Sequence, residues 1–281
     1  MPLMLTSDLA VGKPVPSDQA SIGSRPAWHP HGSAGPRVTL HEGLGGNSAN
    51  CIAIMIPLRD NIRTLRPALI NWAIIAACIG VFLWQIDQPS LAVAHAFVPR
   101  ELFDVGRNTA KGLAAMSGAA LLSMFMHGGL LHLAGNMLFL WVFGDNVEDR
   151  LGRLRYLLFY FTCGLLALAG HCVMTGFSDK PIVVASGAIA GVLGGYWVLF
   201  RGARIRALVP LLILWFVMDV PAWFFLAAWF ALQFLAGLTA GPNSPVASWA
   251  HIAGFAAGAL LVKRFLPRRF RGPRVVRIEF H

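Results

Sequence analysis

From Met55 onward the chain is a succession of apolar runs separated by short polar or basic segments. Six membrane spans are predicted, at about Pro67–Ile86, His132–Gly144, Tyr156–Thr175, Ile182–Phe200, Ala222–Thr239 and Val246–Phe265. Crossing a bilayer takes roughly 20 apolar residues. The second span is short when counted from His132, and an apolar lead-in from Ala114 to Leu131 is expected to extend it. A further apolar segment, Ala207–Met218, is too short to cross alone at about 1.5 Å per residue. Asp219 and Pro221 break it, and it reads as an interfacial lead-in to the fifth span. The expected fold class is therefore all-α, a polytopic bundle of six transmembrane helices.

Residues 1–56 are a different material, rich in Gly, Pro, Ser and His and without sustained periodicity. They read as a disordered tail, with no charged region leading into an apolar stretch as in a signal peptide. The expected organisation is a tail over 1–56, a membrane domain over 57–266 and a basic tail over 267–281.

Composition strengthens the membrane reading. Hydrophobic residues make up 56% of the chain and charged residues 13%, against about 25% charged in soluble domains. The net charge of +10 does not point to nucleic acid. Its Lys and Arg flank the apolar spans and form no basic face with interleaved aromatics. With the N-terminus in the cytoplasm, and counting from Arg59 onward, sixteen Lys and Arg fall inside and four (Arg100, Arg107, Lys111, Lys180) outside. That asymmetry predicts both termini in the cytoplasm. Cys51, Cys78, Cys163 and Cys172 form no CxxC pair, so neither zinc nor a disulfide framework is indicated.

Polar groups inside apolar spans are costly and mark function by default. In this topology Ser186 and His251 both lie roughly 6–8 Å below the outer surface. His132 begins the second span on that side, and Asn136 shares its helix face. Gly187 and Gly191 follow the serine, and Gly254 and Gly258 follow the histidine. Small residues at this spacing let membrane helices approach closely, which would bring Ser186 and His251 within reach.

These residues resemble the rhomboid family. HGGLLHLAGNMLFLWVFGDNVEDRLG (His127–Gly152), ASGAIAGVLGGY (Ala185–Tyr196) and AHIAGFAAG (Ala250–Gly258) look like its second-span, serine and histidine motifs, in the family order. The resemblance covers Met55 to about Phe265. It implies an intramembrane serine endopeptidase cutting single-span membrane proteins near the outer face, in a bacterial inner membrane. Ser186 would be the nucleophile and His251 its base, a dyad without a third member. His132 and Asn136 would serve the oxyanion, His127 would hold the loop before the second span, and the four glycines would support the packing. No cofactor, metal or nucleic acid is expected. The partners are the lipid bilayer and its substrates, and the chain names no substrate or oligomeric state.

Val184 departs from the family, which usually has glycine two residues before the serine. Either the backbone at Val184 is ordinary β-region and valine is tolerated, or the oxyanion site is distorted. The alternative reading is a weakened or inactive relative that binds membrane clients. MIPLRDN, from Met55, looks like a common opening of bacterial members. Residues 1–54 are then either a dispensable tail or the product of an upstream start. A transporter would show inverted repeats or mid-membrane charges, and a zinc protease HExxH. The chain has neither pattern.

Overall fold

A computed structural model describes residues 55–101, 110–211, 214–239 and 248–267. The predicted N-terminal tail, apart from Met55 and Ile56, and the predicted C-terminal tail, apart from Pro267, lie outside them. The described chain opens with strand β1 (Ile56–Asp60) and helix α1 (Leu69–Asp87), then a short α2 (Pro89–Ala94) with proline in its first turn. Helix α3 (Ala110–Ser123) and helix α4 (Leu130–Phe139) follow. A π-helical turn (Leu140–Gly144) joins α4 to α5 (Asp145–Leu151). Helices α6 (Arg153–Thr175) and α7 (Ala185–Leu199) lead to strands β2 (Arg204–Leu211) and β3 (Leu214–Pro221), and then to α8 (Ala222–Thr239) and α9 (Ser248–Phe265).

Among the described residues, α1, α6 and α8 are long and apolar enough to cross a membrane, and α7 is a shorter apolar helix. Large apolar side chains such as Leu83, Leu131, Val173, Leu238 and Leu260 are exposed on these and neighbouring helices. In water such a surface would be costly (about 25 cal/mol per Å²). Against acyl chains it is the stable arrangement. The protein is an integral membrane protein built mainly of helices.

Two expectations are corrected. The lead-in Ala114–Leu131 does not extend the second span: α3 ends at Ser123 and the chain turns before α4 begins at Leu130. The Gly128-Gly129 pair disfavours a continuous helix, and Gln85 holds the turn by bonding both the N–H (2.9 Å) and the carbonyl (3.1 Å) of His127. Nor is the helical bundle free of strands, because residues 207–211 and 214–218 of that segment lie in two paired strands, β2 and β3. The strands β1-β2-β3 make one antiparallel sheet, with Arg206 opposite Asp219 and Ile56 opposite Leu208. The β-branched and aromatic run Trp215-Phe216-Val217 favours strand, and Pro210 is unsuited to a helix interior. Asp219 accepts two bonds from the Arg206 guanidinium, at 2.9 and 3.1 Å. A one-residue slip of register would break that fork.

The core is aromatic. Phe143, Tyr156, Phe159, Tyr160 and Tyr196 are fully buried where the π-helical turn, α6 and α7 meet. Each tyrosine hydroxyl has a partner, as burial requires. Tyr156 donates to Asn71 Oδ1 (2.7 Å), Tyr160 to the Met124 carbonyl (3.0 Å) and Tyr196 to the Asp60 carboxylate. Asn71 in turn donates to the Leu140 carbonyl (2.9 Å) at the start of the π-helical turn. Glu148 accepts the backbone N–H groups of Ile70 (3.1 Å) and Asn71 (2.7 Å). These belong to the first turn of α1, whose donors have no partner within the helix. Gly144 leaves the room: a methyl group there would overlap the Asn71 amide.

Asp60 and Asp145 share this end of the bundle. Burial pushes the Asp60 carboxyl up to about 6. Burial, and then the neighbouring Asp60, push Asp145 up to about 7. Both folded values lie above the unfolded value of about 3.9, so the native state binds the extra protons. Their contribution to stability is complete below that value and is lost as pH rises through about 6 and 7. Melting temperatures in detergent across pH 4–8 should therefore fall with rising pH. An Asp60→Asn/Asp145→Asn variant should show a flatter profile.

Candidate active site

Helix α7 begins at Ala185, after Val184 at the cap position. Val184 has φ −121° and ψ 9°, a negative φ that any residue adopts. Its side chain is fully buried. Its N–H donates to the Ser123 carbonyl (2.9 Å), and its carbonyl accepts from Gly187 (2.9 Å) and Ala188 (3.2 Å). Valine here starts the helix and ties it to the end of α3, with no strained backbone. Ser186 is the second helical residue, so its N–H is among the first-turn donors without an intrahelical partner.

Helix α9 packs along α7 with its glycines facing backbone. A methyl group at Gly254 would overlap the Gly187 carbonyl oxygen, one at Gly258 the Gly191 carbonyl oxygen, and one at Gly194 the Phe255 carbonyl oxygen. On the other side, a methyl at Gly191 would strike Cys163 of α6. The seam expected from Gly187, Gly191, Gly254 and Gly258 is thus a backbone-to-backbone contact.

At the head of that seam Ser186 Oγ lies 2.6 Å from His251 Nε2. Each residue retains 8% of its surface, so the pair is enclosed but reachable. The other ring nitrogen, His251 Nδ1, lies 2.6 Å from the side-chain oxygen of Gln233 on α8. Trp229, one turn earlier on α8, sets its ring 5.9 Å from the imidazole at 38°. Sequence reasoning missed both α8 residues. The signal for Gln233 was available: it is an uncharged amide alone in the apolar run AWFFLAAWFALQFLAGLT.

His132 and Asn136 share a face of α4. Asn136 is buried, and its amide nitrogen has no hydrogen-bond partner. His132 is exposed, with Nδ1 3.4 Å from the Gly128 N–H and its ring 5.5 Å from that of His127. Neither is hydrogen-bonded to Ser186 or His251. His127 is buried, with Nδ1 3.0 Å from the Phe125 carbonyl. The loop carboxylate Asp179 pairs with Arg100 at 2.9 Å, and Phe97 bridges to Ile182. The segment before Glu101 is thereby tied to the approach to the serine. No group of three or more metal-ligating side chains occurs among the described residues.

Fold and site together define a helical membrane protein with a serine–histidine pair enclosed at the head of a glycine-packed helix seam. The family model described as Rhomboid domain matches residues 118–268, more than half of the chain, and the protein belongs to the rhomboid family. It is similar to proteins named rhomboid protease GlpG. The one from Klebsiella pneumoniae is 27% identical over 200 residues, covering 67% of this chain and 60% of the relative. The one from Salmonella paratyphi A is 27% identical over 205 residues, covering 69% and 62%. The matched stretch therefore spans somewhat under two thirds of those relatives' length.

The seam is testable by stability. Gly258→Val should cost about 1–3 kcal/mol or more by overpacking and should lower the melting temperature. Gly80→Ala, on α1, has open space at the added methyl. It should be neutral, or stabilising by up to about 1 kcal/mol.

Proposed function

We propose that this protein is an intramembrane serine endopeptidase that cleaves transmembrane-segment substrates near the outer membrane face. The observation that carries this reading is the 2.6 Å approach of Ser186 Oγ to His251 Nε2. In the proposed cycle His251 takes the hydroxyl proton as Ser186 attacks the scissile carbonyl. It then returns the proton to the leaving amine, and a water molecule, activated the same way, releases the acyl group. The oxyanion is held by the Ser186 backbone N–H with the side chains of Asn136 and His132. The unpartnered Asn136 amide supports that role, since a buried donor without a bond is costly unless a ligand uses it.

The proposed topology has six spans, with α1, α4 with the π-helical turn, α6, α7, α8 and α9 crossing the bilayer and both termini cytoplasmic. It rests on the sixteen-to-four bias of Lys and Arg. The membrane is a bacterial inner membrane in this reading, which the bacterial sources of the similar proteins support. Substrates are single-span proteins with helix-breaking residues near the outer face. Such residues expose a backbone carbonyl that an intact helix would hold in its own hydrogen bonds.

The competing reading, a client-binding relative without activity, rested on Val184. Its ordinary φ supports the active reading instead. Purified protein should cleave a single-span reporter in liposomes. Ser186→Ala and His251→Ala should each lower the rate roughly 10³-fold or more, and Asn136→Ala roughly 10²–10³-fold. Val184→Gly should change it less than about threefold, because the native φ needs no glycine. A parent no faster than Ser186→Ala on every reporter, with activity appearing in Val184→Gly, would favour the client-binding reading.

A further inference from the structure

The imidazole of His251 is held at both nitrogens, and the second partner is a neutral amide. We propose that Gln233 is a positioning residue that completes a hydrogen-bonded row, Ser186–His251–Gln233, by fixing the tautomer and plane of the histidine. This deepens the protease reading and rests on it.

The argument begins with the bond itself. Gln233 presents its side-chain oxygen to His251 Nδ1 at 2.6 Å. An oxygen there can only accept, so the imidazole proton is held on Nδ1. Nε2 is then left with its lone pair directed at Ser186 Oγ, 2.6 Å away. That is the one neutral tautomer able to take the serine proton. The reversed amide would donate to Nδ1, move the proton to Nε2 and turn the histidine into a donor toward the nucleophile. The orientation of one amide thus separates a base from a bystander.

Position supports the assignment. Gln233 and Trp229 are four residues apart on α8, so they share a face. Trp229 lies against the imidazole ring while Gln233 takes its edge. Two contacts from one helix face set both the plane and the rotation of the ring. No other polar side chain lies in the α8 sequence before Thr239, and in an apolar span an amide with a specific partner is well placed for such a role. The other groups that bear on His251 are Ser186 of α7, His132 of α4 and His171 of α6.

An amide supplies orientation without charge. A carboxylate at the same place would stabilise the imidazolium too strongly and would raise the pH needed to regenerate the base. It would also place a second ionisable group in the apolar bundle. The neutral amide keeps the tautomer without that consequence.

The test uses the full-length protein in detergent and in liposomes, with a single-span reporter. Gln233→Leu should lower kcat roughly ten- to hundredfold with KM within about twofold. Gln233→Glu should recover part of that loss and move the acid limb of the pH profile upward. Nitrogen-15 histidine NMR supplies the readout independent of turnover. His251 should carry its proton on Nδ1 in the parent and lose that preference in Gln233→Leu. A proton on Nε2 in the parent, or a tautomer unchanged in Gln233→Leu, overturns the proposal. So does an unchanged kcat in Gln233→Leu beside an active parent. A parent no faster than Ser186→Ala would instead defeat the protease reading, and the tautomer measurement would still decide whether Gln233 positions His251.

Discussion

The contact between α7 and α9 is the constraint on which the rest of the site depends. Gly254 meets the Gly187 carbonyl and Gly258 the Gly191 carbonyl, with no space for a side chain between them. Lipid tails are as apolar as leucine, so burial supplies little drive for helix association in a bilayer. Close backbone packing must supply it. The same approach brings residue 251 to residue 186, because each lies within the first turn or so of its helix. Stability and site geometry are therefore properties of one seam. A side chain large enough to separate the helices by an ångström or two would also break a 2.6 Å hydrogen bond.

The opposite end of the bundle uses a different principle. There Asn71, Glu148, Tyr156, Asp60, Asn146 and Tyr196 bond to one another and to the open first turn of α1. This polar network joins α1, α5, α6, α7 and β1. The hairpin of β2 and β3 sits beside it, paired to β1 and joined across by Arg206 and Asp219. Buried polar groups are costly when partly satisfied and specific when satisfied. The network accordingly defines how the helices register, while the glycine seam defines how closely two of them pack.

Much of this was legible in the sequence, for physical reasons. Apolar length and the placement of Lys and Arg are one-dimensional quantities, so they mark a membrane protein without any contact being known. Ser186, His251, His132 and Asn136 stood out because polar groups in apolar spans are rare, and the glycines because their spacing matches a helix face. The bounds of α8 follow from Pro221, which blocks continuation of a helix from the preceding segment. The strands and the break before α4 were not legible in this way. A dozen apolar residues satisfy helix and strand alike by periodicity, and the pairing of β2 with β3 and with Ile56–Asp60, some 150 residues away, completes the choice of strand. The partner of His251 Nδ1 also depended on tertiary structure. A lone glutamine in a span announces a hydrogen bond but not its recipient. That recipient is decided by the packing of α8 against α9, which turns one amide oxygen toward one ring nitrogen.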